Sequence, residues 1–245
     1  MRVSLAVAAG AWLVMVAAQL TGRAGELHHD VLIEAGLPLW MATPAFLAGW
    51  VFMAAAMMLP ASVPALQVLE ARLTSARSWS LAPMAFHATF FAVWAVFGLT
   101  AFLGDVALHR LADGTPWLAD RPWLVEASAL ALAGAYQFTP QKLRGLARCR
   151  HPADLSSPIA GTAGGARLGS THALDCLASS GPLMLLMFAA GPGNLLWMAA
   201  LAAVMAYEAM GRHGSRAASA VGTVLVGFAG LVVLSGGAVG VLATG

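Results

Sequence analysis

The sequence predicts an all-α protein, a polytopic transmembrane helical bundle of about seven spans with its N-terminus in the cytoplasm. Three observations carry this expectation. Hydrophobic residues make up 60% of the 245 and charged residues only 10%, with a mean hydropathy of +0.78, whereas a soluble domain carries about 25% charge. Apolar runs long enough to cross roughly 30 Å of hydrocarbon recur along the whole chain. The connections between these runs alternate in charge. Arg2, Arg72, Arg77, Lys142, Arg144, Arg148, Arg150, Arg167, Arg212 and Arg216, ten of the thirteen basic residues, fall on one side, and Arg23, Arg110 and Arg121 on the other. Cytoplasmic loops carry the excess of Lys and Arg, so the richer side is inside and the C-terminus outside.

The spans fall near 3–22, 40–67, 82–107, 123–139, 169–190, 194–211 and 217–243. No soluble linker or internal repeat divides them, so residues 1–245 read as a single integral membrane domain in the lipid bilayer. The apolar part of the first span, about 18 residues, exceeds a usual signal-peptide core, which favours a membrane helix over a cleaved leader. Pro60 and Pro64 interrupt the second span and free backbone carbonyls that other groups must satisfy. Trp40, Trp79, Trp117, Trp123 and Trp197 stand near span ends, where aromatic rings anchor at the interface. The glycine-rich stretch from Ser156 to Gly169 reads as a flexible cytoplasmic loop, and Gly191-Pro192-Gly193-Asn194 as a tight outer turn. The glycine-rich final span, 217–243, contains a Gly236–Gly240 pair that suits close packing within this bundle, against a second copy or against a membrane-protein partner.

Ionisable groups are costly in a bilayer, so those inside spans are the candidate functional residues. His172, Asp175 and Cys176 share one face of the fifth span through i, i+3 and i+4 spacing. His87 in the third span, Met57 and Met58 in the second and Glu208 in the sixth have a roughly similar depth toward the cytoplasmic side. Convergence of these helices would build a site near the inner leaflet. Thiolate, thioether and imidazole donors favour soft or borderline ions, copper(I) ahead of zinc. Asp175 or Glu208 would add a carboxylate ligand or orient a histidine.

Each residue also has a plainer reading. Methionines in membrane helices usually pack, histidines near span ends meet water or a carbonyl, a lone Cys176 behaves as a small apolar side chain, and Glu208 has Arg212 four residues on. Asp175 is the hardest to place this way. Glu126, Asp105 and His109 lie toward the outer side, and His28-His29 in the first outer loop is a weak metal contact without further ligands. Two cysteines, one in a span and one in a loop, argue against a disulfide framework. Nothing in the chain suits nucleic acid, and no complete catalytic constellation assembles, which argues against an enzyme.

Two stretches carry a family resemblance. One is Tyr136-Gln-Phe-Thr139-Pro140-Gln-Lys142 through Cys149-Arg150-His-Pro152. The other runs from His172 and Cys176 through Leu183-Met184, Gly191 and Asn194-Leu-Leu-Trp197-Met198 to Glu208. With Met53-Ala-Ala-Ala-Met57-Met58-Leu-Pro60 upstream, the chain over about 45–210 resembles the bacterial predicted metal-binding integral membrane proteins, a family of unknown function with some members labelled copper chaperones. The resemblance implies metal binding in a bacterial cytoplasmic membrane. It also exposes departures. Where the family has Cys-Val-Gly-Cys-Cys-Trp before Leu-Met, this chain has Cys176-Leu-Ala-Ser179-Ser180-Gly181-Pro182, and Gly145 stands where the family has a second loop cysteine. Ala209 replaces a lysine after Glu208, and Gly193 a methionine before Asn194. Hydroxyls are poor ligands for soft ions. Two functions therefore stand open. The first is a membrane metal-handling protein, most plausibly for copper. The second is a non-catalytic accessory subunit of a larger membrane complex whose metal site has decayed.

Overall fold

The computed structural model describes residues 2–22, 38–73, 78–152, 161–190 and 195–239. These form ten helices: α1 (Arg2–Leu20), α2 (Leu39–Ala61), α3 (Val63–Ala71), α4 (Ser78–Asp113), α5 (Pro116–Ala119), α6 (Trp123–Tyr136), α7 (Pro140–Arg150), α8 (Gly161–Ala190), α9 (Leu195–Met210) and α10 (Gly214–Leu234). Each of the seven predicted segments contains a helix. Three helices are long and apolar enough to cross a membrane, namely Leu39–Ala61, the Leu81–Leu111 part of α4, and Gly214–Leu234. Ser4–Leu20, Trp123–Tyr136 and Leu195–Met210 are shorter apolar helices.

Of the two prolines of the second segment, Pro60 lies inside α2 without ending it, and the Trp12 indole N–H of α1 donates at 3.1 Å to the Ala56 carbonyl four residues before it. Pro64 lies in the first turn of α3, where its missing N–H costs nothing. The chain breaks at Ser62, whose hydroxyl donates to the Met58 carbonyl at 2.9 Å.

Two local expectations are revised. Part of the glycine-rich stretch 156–169 is the first turns of α8, not a loop, because its glycines are contact points. A Cβ on Gly165 would stand 2.1 Å from the Ala82 carbonyl oxygen, and one on Gly169 2.3 Å from that of Phe86. The Thr89 hydroxyl also donates across the contact to the Ala166 carbonyl at 3.0 Å. Glycine thus lets α8 lie against α4, backbone to backbone. At the other end, α10 stops at Leu234 and Gly236 follows in a turn with φ +59°, a conformation glycine adopts freely. Gly236 is therefore not part of a helical packing face, and Gly240 lies outside the described residues, as do Arg23, His28, His29, Arg77 and the 191–194 turn.

The core follows from aromatic spacing on α4. Phe86, Phe90 and Trp94 recur every four residues and are fully buried. Trp50 of α2 donates its indole N–H to the Trp94 carbonyl at 2.7 Å, and a Cβ on Gly98 would overlap the Trp50 ring. Phe46 stacks on Phe102 with centroids 4.6 Å apart. The principal packing pairs are α4 with α8, α6 with α10, α7 with α8, α1 with α2, and α2 with both α4 and α9. Short, amphipathic α7 is the exception to the apolar pattern, and it brings polar residues to the buried side of α8.

Candidate metal centre

α7 is built to start at one place and present one stripe. Thr139 caps it by accepting from the Lys142 backbone N–H at 3.3 Å, Pro140 occupies the first turn, and Arg148 and Arg150 stand in the last turn, where positive charge suits the helix dipole. Its buried residues are Lys142, Gly145, Leu146 and Cys149, a stripe at helical spacing that faces α8. Gly145 is the close approach. A Cβ there would stand 3.0 Å from the Asp175 carbonyl oxygen, the Ser179 nitrogen and the Ala178 Cβ. One turn further on, Cys149 meets α8 at Cys176.

Three side chains converge at that point. Cys149 Sγ lies 3.5 Å from Cys176 Sγ, and Cys176 Sγ lies 3.3 Å from His172 Nε2. The three donor atoms all fall within 4.8 Å of one another, and all three residues are buried. The thiols are free rather than bonded. Phe86 and Phe90 stack on the His172 ring at 6.2 and 6.1 Å and fix its plane. His172 Nδ1 is buried with no hydrogen-bond partner among the described residues. The Ser179 hydroxyl completes the rim. It lies 3.7 Å from Cys149 Sγ and 3.3 Å from the Ser180 hydroxyl, and it donates to the Cys176 carbonyl at 3.0 Å.

Lys142 and Glu208 form a second buried polar contact beside the thiols. Lys142 Nζ stands 2.5 Å from Glu208 Oε2, with the side chains 0% and 1% exposed. The ammonium also donates to the Ser179 carbonyl at 2.5 Å. Burial lowers the Lys142 pKa below its usual range, and the adjoining Glu208 carboxylate works against that shift.

The predicted candidates divide accordingly. His172 and Cys176 meet, as helical spacing requires. His87 has partners on both ring nitrogens, the Pro83 carbonyl at 2.6 Å and the Ser4 hydroxyl at 3.0 Å, and it ties α4 to α1. Asp175 faces Arg148 at 3.5 Å, with the arginine side chain 70% exposed. The partner of Glu208 is Lys142 of α7, in place of Arg212. Met57 and Met58 are fully buried in α2. Cys149 and Lys142 were not among the sequence-derived ligands. The stripe Lys142, Gly145, Cys149 was the available signal, but the segment reads as a loop unless Thr139-Pro140 is recognised as a helix start.

Two thiols and an imidazole are a soft donor set. Donors held about 2.0–2.3 Å from a shared ion stand at most roughly 4.6 Å apart. The 3.5 and 3.3 Å contacts fall inside that limit, and with all three donors within 4.8 Å of one another a small inward shift brings the cluster to the dimensions of a three-donor metal site. No curated protein and no solved structure matches the chain. A family profile described as "PpoB2: Copper chaperone" matches residues 47–232. That stretch contains Cys149, His172 and Cys176 together with Lys142 and Glu208, and the chain belongs to this copper chaperone family.

Proposed function

We propose that the protein is a multi-pass protein of the bacterial cytoplasmic membrane that binds a copper(I) ion through Cys149, His172 and Cys176 and passes it on. The observation that supports this reading most is the buried cluster itself, two thiols and an imidazole within 4.8 Å in a largely apolar interior. Thiolates are the ligating form, so binding releases the thiol protons. Two sulfurs and one nitrogen suit copper(I) ahead of zinc, which usually takes a fourth ligand. Such a low-coordinate site leaves room for an acceptor's ligand to enter before the donor's ligands leave, which is the chemistry a chaperone needs. Seven spans with the N-terminus inside remain our topological reading, supported by the distribution of basic residues.

Elemental analysis tests the metal reading. Protein purified in mild detergent and loaded with copper(I) should retain about one equivalent, and Cys149→Ser, Cys176→Ser and His172→Ala should each weaken binding. The expected loss exceeds the roughly 10–100-fold that follows removal of a group supporting a ligand. Copper far below one equivalent in the unaltered protein overturns the reading.

Ser179 and Ser180 favour a second reading. They occupy positions where the resembling family has cysteines, and Ser179 lies on the rim of the cluster. Loss of those soft donors fits an accessory subunit of a larger membrane complex that keeps the scaffold without its ion. A native gel of the same preparation separates the two, because the accessory role requires co-migrating proteins.

A further inference from the structure

Pro182 lies inside α8 six residues after Cys176, and the helix continues through it. Proline has no N–H, so the carbonyl four residues earlier, that of Ala178, loses its helical partner. The Tyr136 hydroxyl of α6 donates to that carbonyl at 2.7 Å. The next carbonyl along α8, that of Ser179, accepts from Lys142 Nζ at 2.5 Å. Two side chains from the same short motif, six residues apart and on either side of the Thr139-Pro140 helix start, therefore hold consecutive carbonyls of one helix in the turn before its proline. Glu208 of α9 holds Lys142 from the far side.

The consequence reaches the thiols through α7. Lys142 anchors the start of α7 to α8, Gly145 brings the two backbones close, and Cys149 lies seven residues, or about two turns, after Lys142 on the same face. On the α8 side, Ser179 bonds back to the Cys176 carbonyl, so the clamped turn is the one that carries Cys176. We propose that Tyr136 and Lys142 are positioning residues which, by clamping the Ala178 and Ser179 carbonyls one turn before Pro182, set Cys149 against Cys176. Glu208 aims Lys142 and does not join the cluster. The inference takes its functional meaning from the copper reading above, but it concerns placement, which is measurable without metal.

Two readouts test it in the full-length protein in detergent. The first is the rate at which diamide closes Cys149 and Cys176 into a disulfide. Each sulfur gives up its hydrogen, the two hydrogens and two electrons pass to the diazene, which becomes the hydrazine, and the product is two mass units lighter. The second is copper(I) affinity, measured by competition with a chromophoric copper(I) chelator. Tyr136→Phe keeps the ring and removes only the donor. We expect it to slow disulfide closure several-fold and to weaken copper(I) binding about 10–100-fold, as for other groups that orient ligands, with helix content and melting temperature near those of the unaltered protein. Lys142→Met can fail to fold because it strands Glu208, so Lys142→Met/Glu208→Leu is its companion and should show the same two losses. Closure and affinity equal to the unaltered protein in both folded variants overturn the inference, as does a fall in melting temperature with closure unchanged. If the unaltered protein binds no copper(I) but closes quickly, and Tyr136→Phe closes slowly, the clamp stands and the copper reading falls.

Discussion

Lys142 has the same formal charge as Arg148 on the same helix, but a very different energetic role. The Arg148–Asp175 pair, with its arginine 70% exposed, is worth at most about 1 kcal/mol because water screens it. The Lys142–Glu208 pair is sealed from solvent, so each charge depends on the other. Lys142→Met should destabilise the protein by about 3–5 kcal/mol, since it leaves a buried carboxylate unpaired. Lys142→Met/Glu208→Leu should recover most of that loss, because two apolar groups of similar size need no partner. Unfolding of the single and double variants in detergent checks this, and equal destabilisation of both would contradict it. His172 and Cys176 were legible in the sequence because i, i+4 spacing alone puts them together. Cys149, 27 residues before Cys176, was not, because that meeting depends on how close α7 lies to α8.

At the scale of elements, glycine decides where helices touch. Gly165 and Gly169 allow the α4–α8 contact, and Gly222 lies against Gln137 and Gly134 where α10 meets α6. Composition suggested a loop for the Gly165 region, since glycine lowers helix propensity by about 1 kcal/mol per residue. The contact with α4 outweighs that local preference. Gly165→Ala should therefore cost about 1–3 kcal/mol, as overpacking does. By contrast, a Cβ on Gly227 meets nothing within 4 Å, and Gly227→Ala should stabilise α10 by about 0.5–1 kcal/mol. Paired melting curves check both, and equal effects at the two sites would refute the contact argument. Pro182 shows the same dependence on surroundings. A proline inside a helix reads as a breaker, yet α8 continues through it with Tyr136 supplying a donor to the freed carbonyl.

For the whole molecule, the topology read from charge makes its own prediction. Reporter fusions after Arg150 should be active in the cytoplasm, and fusions after Asp120 outside it. The opposite pattern would invert the proposed orientation and move the metal centre to the other face. α8 starts at Gly161, so His172 stands roughly 16 Å along its helix at about 1.5 Å per residue, deeper from the helix start than the span boundaries near 169–190 imply. Composition and the lengths of apolar runs determined the helical class and that each of the seven apolar segments holds a helix, because burial without water demands internally satisfied backbone over a set length; they did not determine α7. Helical periodicity likewise determined that His172 and Cys176 share a face. Only the tertiary structure decided that Cys149 completes the cluster, that Glu208 belongs to Lys142, 66 residues away, and that His87 is held by Ser4. These pairings depend on the distance between packed helices, which contacts distant in sequence, such as that of Gly145 in α7 against Asp175 and Ser179 of α8, establish.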